Sequence, residues 1–426
     1  MNKLKSNQFP LDWKPYKLNE LGNPFNGLTG KTKEDFGEGK PYIPYLNIFK
    51  NAIINSEAFD YVRVNGDENQ NRVIYGDLLF TTSSETPEEV GMASAYLGSN
   101  EELYLNSFCF GFRPYDFKVV ASAYLSYYFR SSLGRRLMTR LAQGATRYNL
   151  SKKLFLKEEI VLPPIIEQQQ ISKILISWDQ AIKLNQSLLS ESLKNRKGLE
   201  QQLLYGKVRF GEFVKSSSSH KTPVGELPED WELKHISDIV QRVKKPFTPE
   251  PDTLYREIGI RSHCKGIFHK EEVTGASLGN KSVFWIQPDC FVVNIVFAWE
   301  HAIAKTTEAE VGMIASHRFP MYKPKKGVLD LDYLLYYFKT ARGKHLLGLA
   351  SPGGAGRNKT LGQSEFAKLK IPVPSIEEQK KIVAVLSEAD KEIELLQQQI
   401  DTLKEQKKGL MQKLLTGEIR VKPGNE

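Results

Sequence analysis

Cysteine is scarce in this chain: three residues in 426, at positions 109, 264 and 290. So few, so scattered, exclude a disulfide framework and point to a reducing, cytoplasmic setting. No apolar run approaches the roughly 18 residues that a membrane span requires. The opening MNKLKSNQFPLDW lacks the apolar stretch of a secretory signal. Neither charge sign dominates: 59 Lys and Arg stand against 50 Asp and Glu, a net +9. That excess permits a polyanionic partner without demanding one.

Catalytic signatures are missing as well. There is no GxxxxGK[ST] to cradle phosphates and no GxGxxG between a strand and a helix. GNPFNG (22–27) lacks the second proline of an amino-methyltransferase motif. Glu232-Leu233-Lys234 has the E-x-K outline of a nuclease site, but Asp230 lies too near in sequence to sit on a neighbouring strand as its metal ligand. His263, Cys264, His269 and Cys290 are spaced too irregularly for zinc. No Ser-His-Asp pattern is discernible. We expect no catalytic residue, no metal site and no cofactor in this chain, which reads as a recognition or scaffold protein.

What the chain does contain is itself, twice. FPLDWKPYKLNEL (9–21) matches LPEDWELKHISDI (227–239), and YLSYYF (124–129) matches YLLYYF (333–338). Pro164, Ile166, Glu167 and Gln169 match Pro374, Ile376, Glu377 and Gln379; KGLEQQLLYGKVR (197–209) matches KGLMQKLLTGEIR (408–420). A repeat of about 210 residues is far longer than a solenoid unit of roughly 20–50. It marks a tandem duplication, and two like halves pack most simply about a pseudo-two-fold axis.

Each copy ends in a long helix. In the second, Ser375 and Glu378 form a capping box. Ile382, Leu386, Ala389, Ile393, Leu396, Ile400, Leu403, Lys407, Leu410 and Leu414 then fall at alternating steps of four and three, the a/d seam of a coiled coil. The first copy repeats the steps with Ile171, Leu175, Trp178, Ile182, Asn185, Leu189, Ser192, Arg196, Leu199 and Leu203. Asn185 is either a register-fixing polar residue or part of a solvated stretch. Gly206 and Gly417 stop the helices. Each stripe needs a partner, and the other copy supplies it; a two-fold axis across the pair makes it antiparallel.

The intervening heads mix short strands, polar turns and a few helices, so the fold class is α+β. GDLLF (76–80), PYIPYLNIF (41–49) and CFVVNIVF (290–297) read as strands; the stretch 124–141 reads as one amphipathic helix. KSSSSHKTP (215–223) reads as a flexible linker. Arg130, Arg135, Arg136 and Arg140, with Lys339, Arg342, Lys344 and His345, form either a phosphate-binding or simply a solvated face. Two glycine-containing loops occupy the same place in each copy, AQGATRYNLS (142–151) and SPGGAGRNKTLG (351–362). Arg147, Tyr148 and Asn149, with Arg357, Asn358 and Lys359, lie at their tips. Arg, Asn and Lys are the side chains that pair with base edges or phosphates.

The doubled proline–Glu–Gln helix start, the K-G-L…L-L-x-G endings and the D-W opening of each head resemble the specificity subunit of type I restriction–modification enzymes. GDLLFTTSSETPEEVG (76–91) and PDCFVVNIVFAWEHAIAK (288–305) are similar to that family's target-recognition domains. The resemblance implies target-recognition domains at 1–160 and 227–370, conserved spacer helices at 161–210 and 371–420, and a linker at 211–226. It implies that each head reads one half of a bipartite, asymmetric double-stranded DNA target, while the antiparallel coiled coil sets the gap and docks two modification subunits. Those partners would carry S-adenosylmethionine, and restriction subunits would add ATP and Mg; this chain would catalyse nothing. Thr81, Thr82 and Ser83, with Asn294, Trp299 and His301, follow equivalent strands and are further candidate DNA contacts. The competing readings are a two-headed scaffold for a protein or RNA target, and a methyltransferase or nuclease with a degenerate site.

Overall fold

The computed structural model describes residues 9–223, 225–353 and 359–421. They form two compact units, one of residues 9–187 with 397–421 and one of the described residues between 188 and 396. The long helices are Ile165–Leu203 (39 residues) and Ile376–Thr416 (41 residues), roughly 60 Å each at ~1.5 Å per residue. Each helix contributes one end to each unit. Among the described residues no helix is long and apolar enough to cross a membrane.

The seam positions are where the burial lies. Ile171, Leu175, Ile182 and Leu203 are buried, while Trp178, Asn185, Leu189, Ser192, Arg196 and Leu199 are half-buried. Ile382, Leu386, Leu396, Ile400 and Leu414 are buried, with Ala389, Ile393, Leu403, Lys407 and Leu410 half-buried. Within the first unit Asp179 takes Lys407 at 2.5 Å and Glu167 takes Arg420 at 2.8 Å. Within the second, Asp390 takes Arg196 and Glu378 takes Arg209, both at 2.8 Å. One residue number falls as the other rises, so the pairing is antiparallel in both units. Asn185 donates to the Ala181 carbonyl of its own helix at 2.9 Å.

The seam cations Arg196 and Lys407 have repeated partners. Lys407 lies 5.2 Å from the centre of the Tyr127 ring, and the Tyr127 hydroxyl donates to Asp179 at 2.7 Å. Arg196 lies 5.5 Å from the Tyr336 ring, whose hydroxyl donates to Asp390 at 2.8 Å. These tyrosines come from the matched YLSYYF and YLLYYF helices, so each head is tied to the coiled coil through a carboxylate shared by a cation and a phenol.

Both heads are built on one sheet order. In the first, antiparallel strands run Gly22–Asn26, Cys109–Pro114, Leu78–Thr81, Ala93–Ala95, with Phe80 opposite Phe110 and Leu78 opposite Phe112. In the second they run Val240–Val243, Met321–Pro324, Phe291–Val293, Ile303–Lys305. Phe80, Phe110, Phe112, Phe129 and Phe155 are fully buried, each side chain worth roughly 1.5–3 kcal/mol of burial. Each head also closes on itself. Lys14–Lys17 pairs with Glu159–Leu162, and Glu232–His235 with Lys370–Val373, both antiparallel. The outer sheets differ: Asp60–Val62, Phe36–Ile43 and Tyr104–Leu105 in the first head, five strands spanning Pro246–Ser316 in the second.

Several sequence expectations are corrected. PYIPYLNIF is strand only to Ile43; Pro44 begins the helix Tyr45–Lys50. The 124–141 stretch is two helices, Ser122–Arg130 and Ser132–Leu141, because the Ser131 hydroxyl caps the second by accepting from Gly134 N–H. CFVVNIVF is strand only at Phe291–Val293. The 211–226 linker is partly structured: Ser219–Thr222 pairs with Gly225–Pro228 as a hairpin. Arg130 is drawn inward, donating to the carbonyls of Ala93, Ile48, Phe49 and Asn51, and Arg135 to those of Glu88, Val90 and Gly91. Neither lines a phosphate-binding face.

The capping box is half formed. Ser375 Oγ accepts from Glu378 N–H at 3.2 Å, but the Glu378 carboxylate turns away to take Arg209 at 2.8 Å and the Trp231 indole N–H at 3.1 Å. In the first unit Glu167 takes Arg420 at 2.8 Å and the Trp13 indole at 3.2 Å. Asp230 and Asp12 complete the two clasps, at 2.6 Å from Arg209 and from Arg420 respectively. Gln168 and Gln379 are likewise equivalent: each donates to a carbonyl of the preceding proline, Pro163 or Pro374, at 2.9 Å. The true partner of Glu167 is therefore Glu378, not Glu377, and that of Gln168 is Gln379. The repeat registers one residue further on than the Pro–Ile–Glu–Gln match suggested.

Candidate nucleic-acid interface

In the first head the glycine-containing loop is a hairpin. Ala142–Gln143 pairs with Tyr148–Leu150, which pairs in turn with Ser83–Ser84. Gly144, at φ +135°, makes the turn possible: a Cβ there would sit 2.1 Å from the Arg147 carbonyl oxygen, a conformation and approach open to glycine. Asn149 lies opposite Ser83 and Tyr148 opposite Ser84. The two groups of candidates from distant sequence thus share one patch.

Their exposure separates them. Arg147 and Asn149 are exposed and Tyr148 is half-buried. Arg147 rides over the Phe108 ring at 5.6 Å, and Phe108 is itself 56% exposed. Thr82 is held by its backbone, donating to the Phe108 carbonyl and accepting from Leu150 N–H, both at 2.9 Å. Ser83 is buried, and its carbonyl accepts from the Tyr45 hydroxyl at 2.8 Å. Thr81 is a correction: it is fully buried, and its hydroxyl accepts from Met92 N–H at 3.0 Å, so it supports the patch from behind. Sequence reasoning missed Phe108. Its signal was an aromatic residue preceded by Asn106 and Ser107 and lying just before a strand, the setting of an Arg-supporting ring.

In the second head a turn after Phe291–Val293 carries the candidates. Asn294 Oδ1 accepts from Val296 N–H at 3.1 Å, and the Trp299 indole N–H donates to the Val296 carbonyl at 3.1 Å. Lys359 Nζ lies 5.7 Å from the centre of the Trp299 ring. The Ile295 carbonyl accepts from Leu361 N–H at 2.8 Å, fastening the segment that carries Lys359 to this turn. Arg357 and Asn358 lie outside the described residues. His301 is a correction: it is buried, left-handed at φ 64°, and pushed down to about 4 by burial and then by nearby Lys344 and His263. Its imidazole is held neutral inside the head, behind the candidate DNA contacts Asn294 and Trp299.

The zinc candidates part company. His269 pairs with Glu310 at 3.0 Å, while burial pushes the Cys290 thiol up. Among the described residues no group of three or more His, Cys, Asp or Glu is placed to hold a metal. Beside Asn294 opens a cavity of about 290 Å³ whose walls include Glu257, Lys270, Lys281, Phe297 and Arg318.

Comparison with known proteins agrees with this architecture. A family model described as the type I restriction modification DNA specificity domain matches residues 10–195 and again 228–405. A Methanocaldococcus jannaschii chain assigned as the MjaX specificity subunit of a type I restriction enzyme is 26% identical, over 99% of this chain and 96% of its own. The MjaVIII specificity subunit of the same organism is 23% identical, over 97% and 94%. The fold is similar to that of the type I restriction–modification S subunit from M. genitalium, at a TM-score of 0.56 and 14% identity, covering 97% of both chains. With the specificity-domain model matching both repeats, the chain belongs to the type I restriction modification DNA specificity family.

Proposed function

We propose that each head reads one half of a bipartite double-stranded DNA target and that the paired helices set the unread gap. The observation that carries this is the pairing of a shared frame with divergent surfaces. The inner sheets have the same order, whereas the equivalent strands Leu78–Thr81 and Phe291–Val293 lead into Thr82 and Ser83 in one head and Asn294 and Trp299 in the other, and the equivalent loops carry Arg147 and Asn149 in one and Lys359 in the other. Two like frames with unlike surfaces suit two different half-words on one duplex.

The chain itself acts without catalysis; the chemistry comes from its partners. Two modification subunits bearing S-adenosylmethionine dock on the helices, and restriction subunits using ATP and Mg join them where a nuclease is assembled, all in the cytoplasm. Leu184 and Leu395 support paired docking. They are 70% and 64% exposed and stand at equivalent helix positions, one repeat offset of 211 residues apart.

One heptad inserted in both long helices adds about 10 Å, roughly three base pairs. Single-molecule sequencing of methylated DNA from a host expressing the variant with its modification subunit should show the gap lengthened and both half-words intact. An unaltered gap overturns the spacer role. Binding of duplex DNA by the assembled complex should weaken steeply as salt rises.

A further inference from the structure

The cavity beside Asn294 is lined by groups that no sequence motif picked out. Two turns form its mouth, Asn294–Phe297 and Ser316–Phe319. They are fastened together: Ile295 N–H donates to the Arg318 carbonyl at 3.0 Å, and Arg318 N–H reaches Ser316 Oγ at 3.4 Å. The Arg318 backbone is therefore fixed, while its guanidinium is exposed and has no protein partner among the described residues.

The lining also carries Glu257, whose side chain is only 13% exposed, with Lys270 at 3.4 Å and Lys281 at 4.0 Å. Both contacts are long for an ion pair, and both lysine side chains are about half exposed, at 42% and 54%. Among the lining residues one carboxylate stands against three cations, Lys270, Lys281 and Arg318. The uncompensated charge suits a phosphate, and the partly exposed Phe297 ring offers an apolar edge beside it. Ile295 joins this cavity to the other candidate contacts. Its N–H binds the Arg318 turn, and its carbonyl binds Leu361 beside Lys359. The segments carrying Arg318 and Lys359 are therefore both fastened to one residue of one short turn.

We infer that Arg318 is a base-reading residue of the second head, with Lys270 and Lys281 gripping the neighbouring DNA phosphates. Arginine held at its backbone and free at its fork pairs bidentately with guanine O6 and N7. Lysine on a flexible stem neutralises phosphate without reading sequence. The inference rests on the DNA-reading function proposed above and assigns residues to it.

The test uses the chain assembled with its modification subunits and duplexes selected from a randomised library by the wild-type complex. Arg318→Ala should relax one position in one half-word and lower affinity for the selected duplex about 5- to 150-fold, with the other half-word unchanged. Arg318→Lys should keep the charge yet still relax that position. Lys270→Ala with Lys281→Ala should weaken all duplexes alike and reduce the salt slope by about two. Arg147→Ala is the control on the first head. If the wild-type complex selects no duplex, the DNA-reading function itself fails. If it does, and Arg147→Ala acts on the first head's half-word while the Arg318 and lysine variants behave as wild type, the cavity assignment alone is overturned. Thermal melting of each variant separates loss of binding from loss of fold, and an Arg318→Lys variant that melts as wild type but keeps full specificity also overturns it.

Discussion

Arg420 grips Glu167 across 253 residues of chain, with Nε 2.8 Å from Oε1 and a second guanidinium nitrogen 2.9 Å from Oε2. The same grip recurs between Arg209 and Glu378. The two differ in their access to water. The Arg420 side chain is 38% exposed and Glu167 6%; Arg209 and Glu378 are 8% and 2% exposed.

That difference sets the first prediction. Arg209→Ala strands a buried carboxylate and should cost about 3–5 kcal/mol. Arg420 is itself 38% exposed, so its removal opens Glu167 to water and should cost less, about 1–3 kcal/mol. Urea denaturation, with hydrogen exchange resolving which unit opens, measures both. Equal losses would show that burial does not govern the clasps.

The glycines of the long helices should respond with opposite signs. Gly206 and Gly417 have φ of +64° and +74°, and a Cβ would lie 2.7 Å from Pro228 and 2.4 Å from Pro10 respectively. Gly206→Ala and Gly417→Ala should each lose at least about 1 kcal/mol. Gly198 and Gly409 lie within the helices with nothing near the Cβ position. Alanine there should gain about 0.5–1 kcal/mol. Thermal melts of the four single variants decide the matter.

Acid sensitivity should localise to Glu68. Its hydrogen bond from Lys31, then those from Asn65 and Gln70, hold the carboxyl down to about 2 from 4.5. A carboxyl depressed on folding contributes its full stability above its unfolded pKa and loses it as pH falls through the folded one. The deficit of Glu68→Gln should therefore be constant above about pH 5 and shrink between about 4.5 and 2. Melting temperatures of the two proteins across that range test it; a deficit that grows as pH falls would contradict it.

The seam was legible because heptad spacing is a local property. Ile382 to Leu414 could be placed from the chain alone, and so could the stop glycines. The clasps were not. Ser375-x-x-Glu378 satisfies a local capping rule, and nothing nearby reveals that Arg209, 169 residues away, claims the carboxylate. The same blindness misplaced the repeat by one residue, since Glu377 and Glu378 are interchangeable until a partner chooses between them. Arg130 and Arg135 read as surface cations because helical spacing does not show which carbonyls lie unpaired behind them. In the interface, chemistry singled out Arg147 and Lys359, but only tertiary pairing distinguishes exposed Asn149 from buried Thr81. Arg318 left no signal because its setting is made by a turn 23 residues upstream.

Each head begins and ends on neighbouring antiparallel strands, Lys14–Lys17 beside Glu159–Leu162 and Glu232–His235 beside Lys370–Val373. A segment whose two ends are latched side by side behaves as a cartridge. Its interior can gain strands, lose them or change length without disturbing the helix that follows, because the latch fixes the exit point. This is why one head can carry a five-stranded outer sheet where the other has three strands, while the residues of both clasps keep their geometry. Novelty in recognition therefore falls on the region where it costs the frame least.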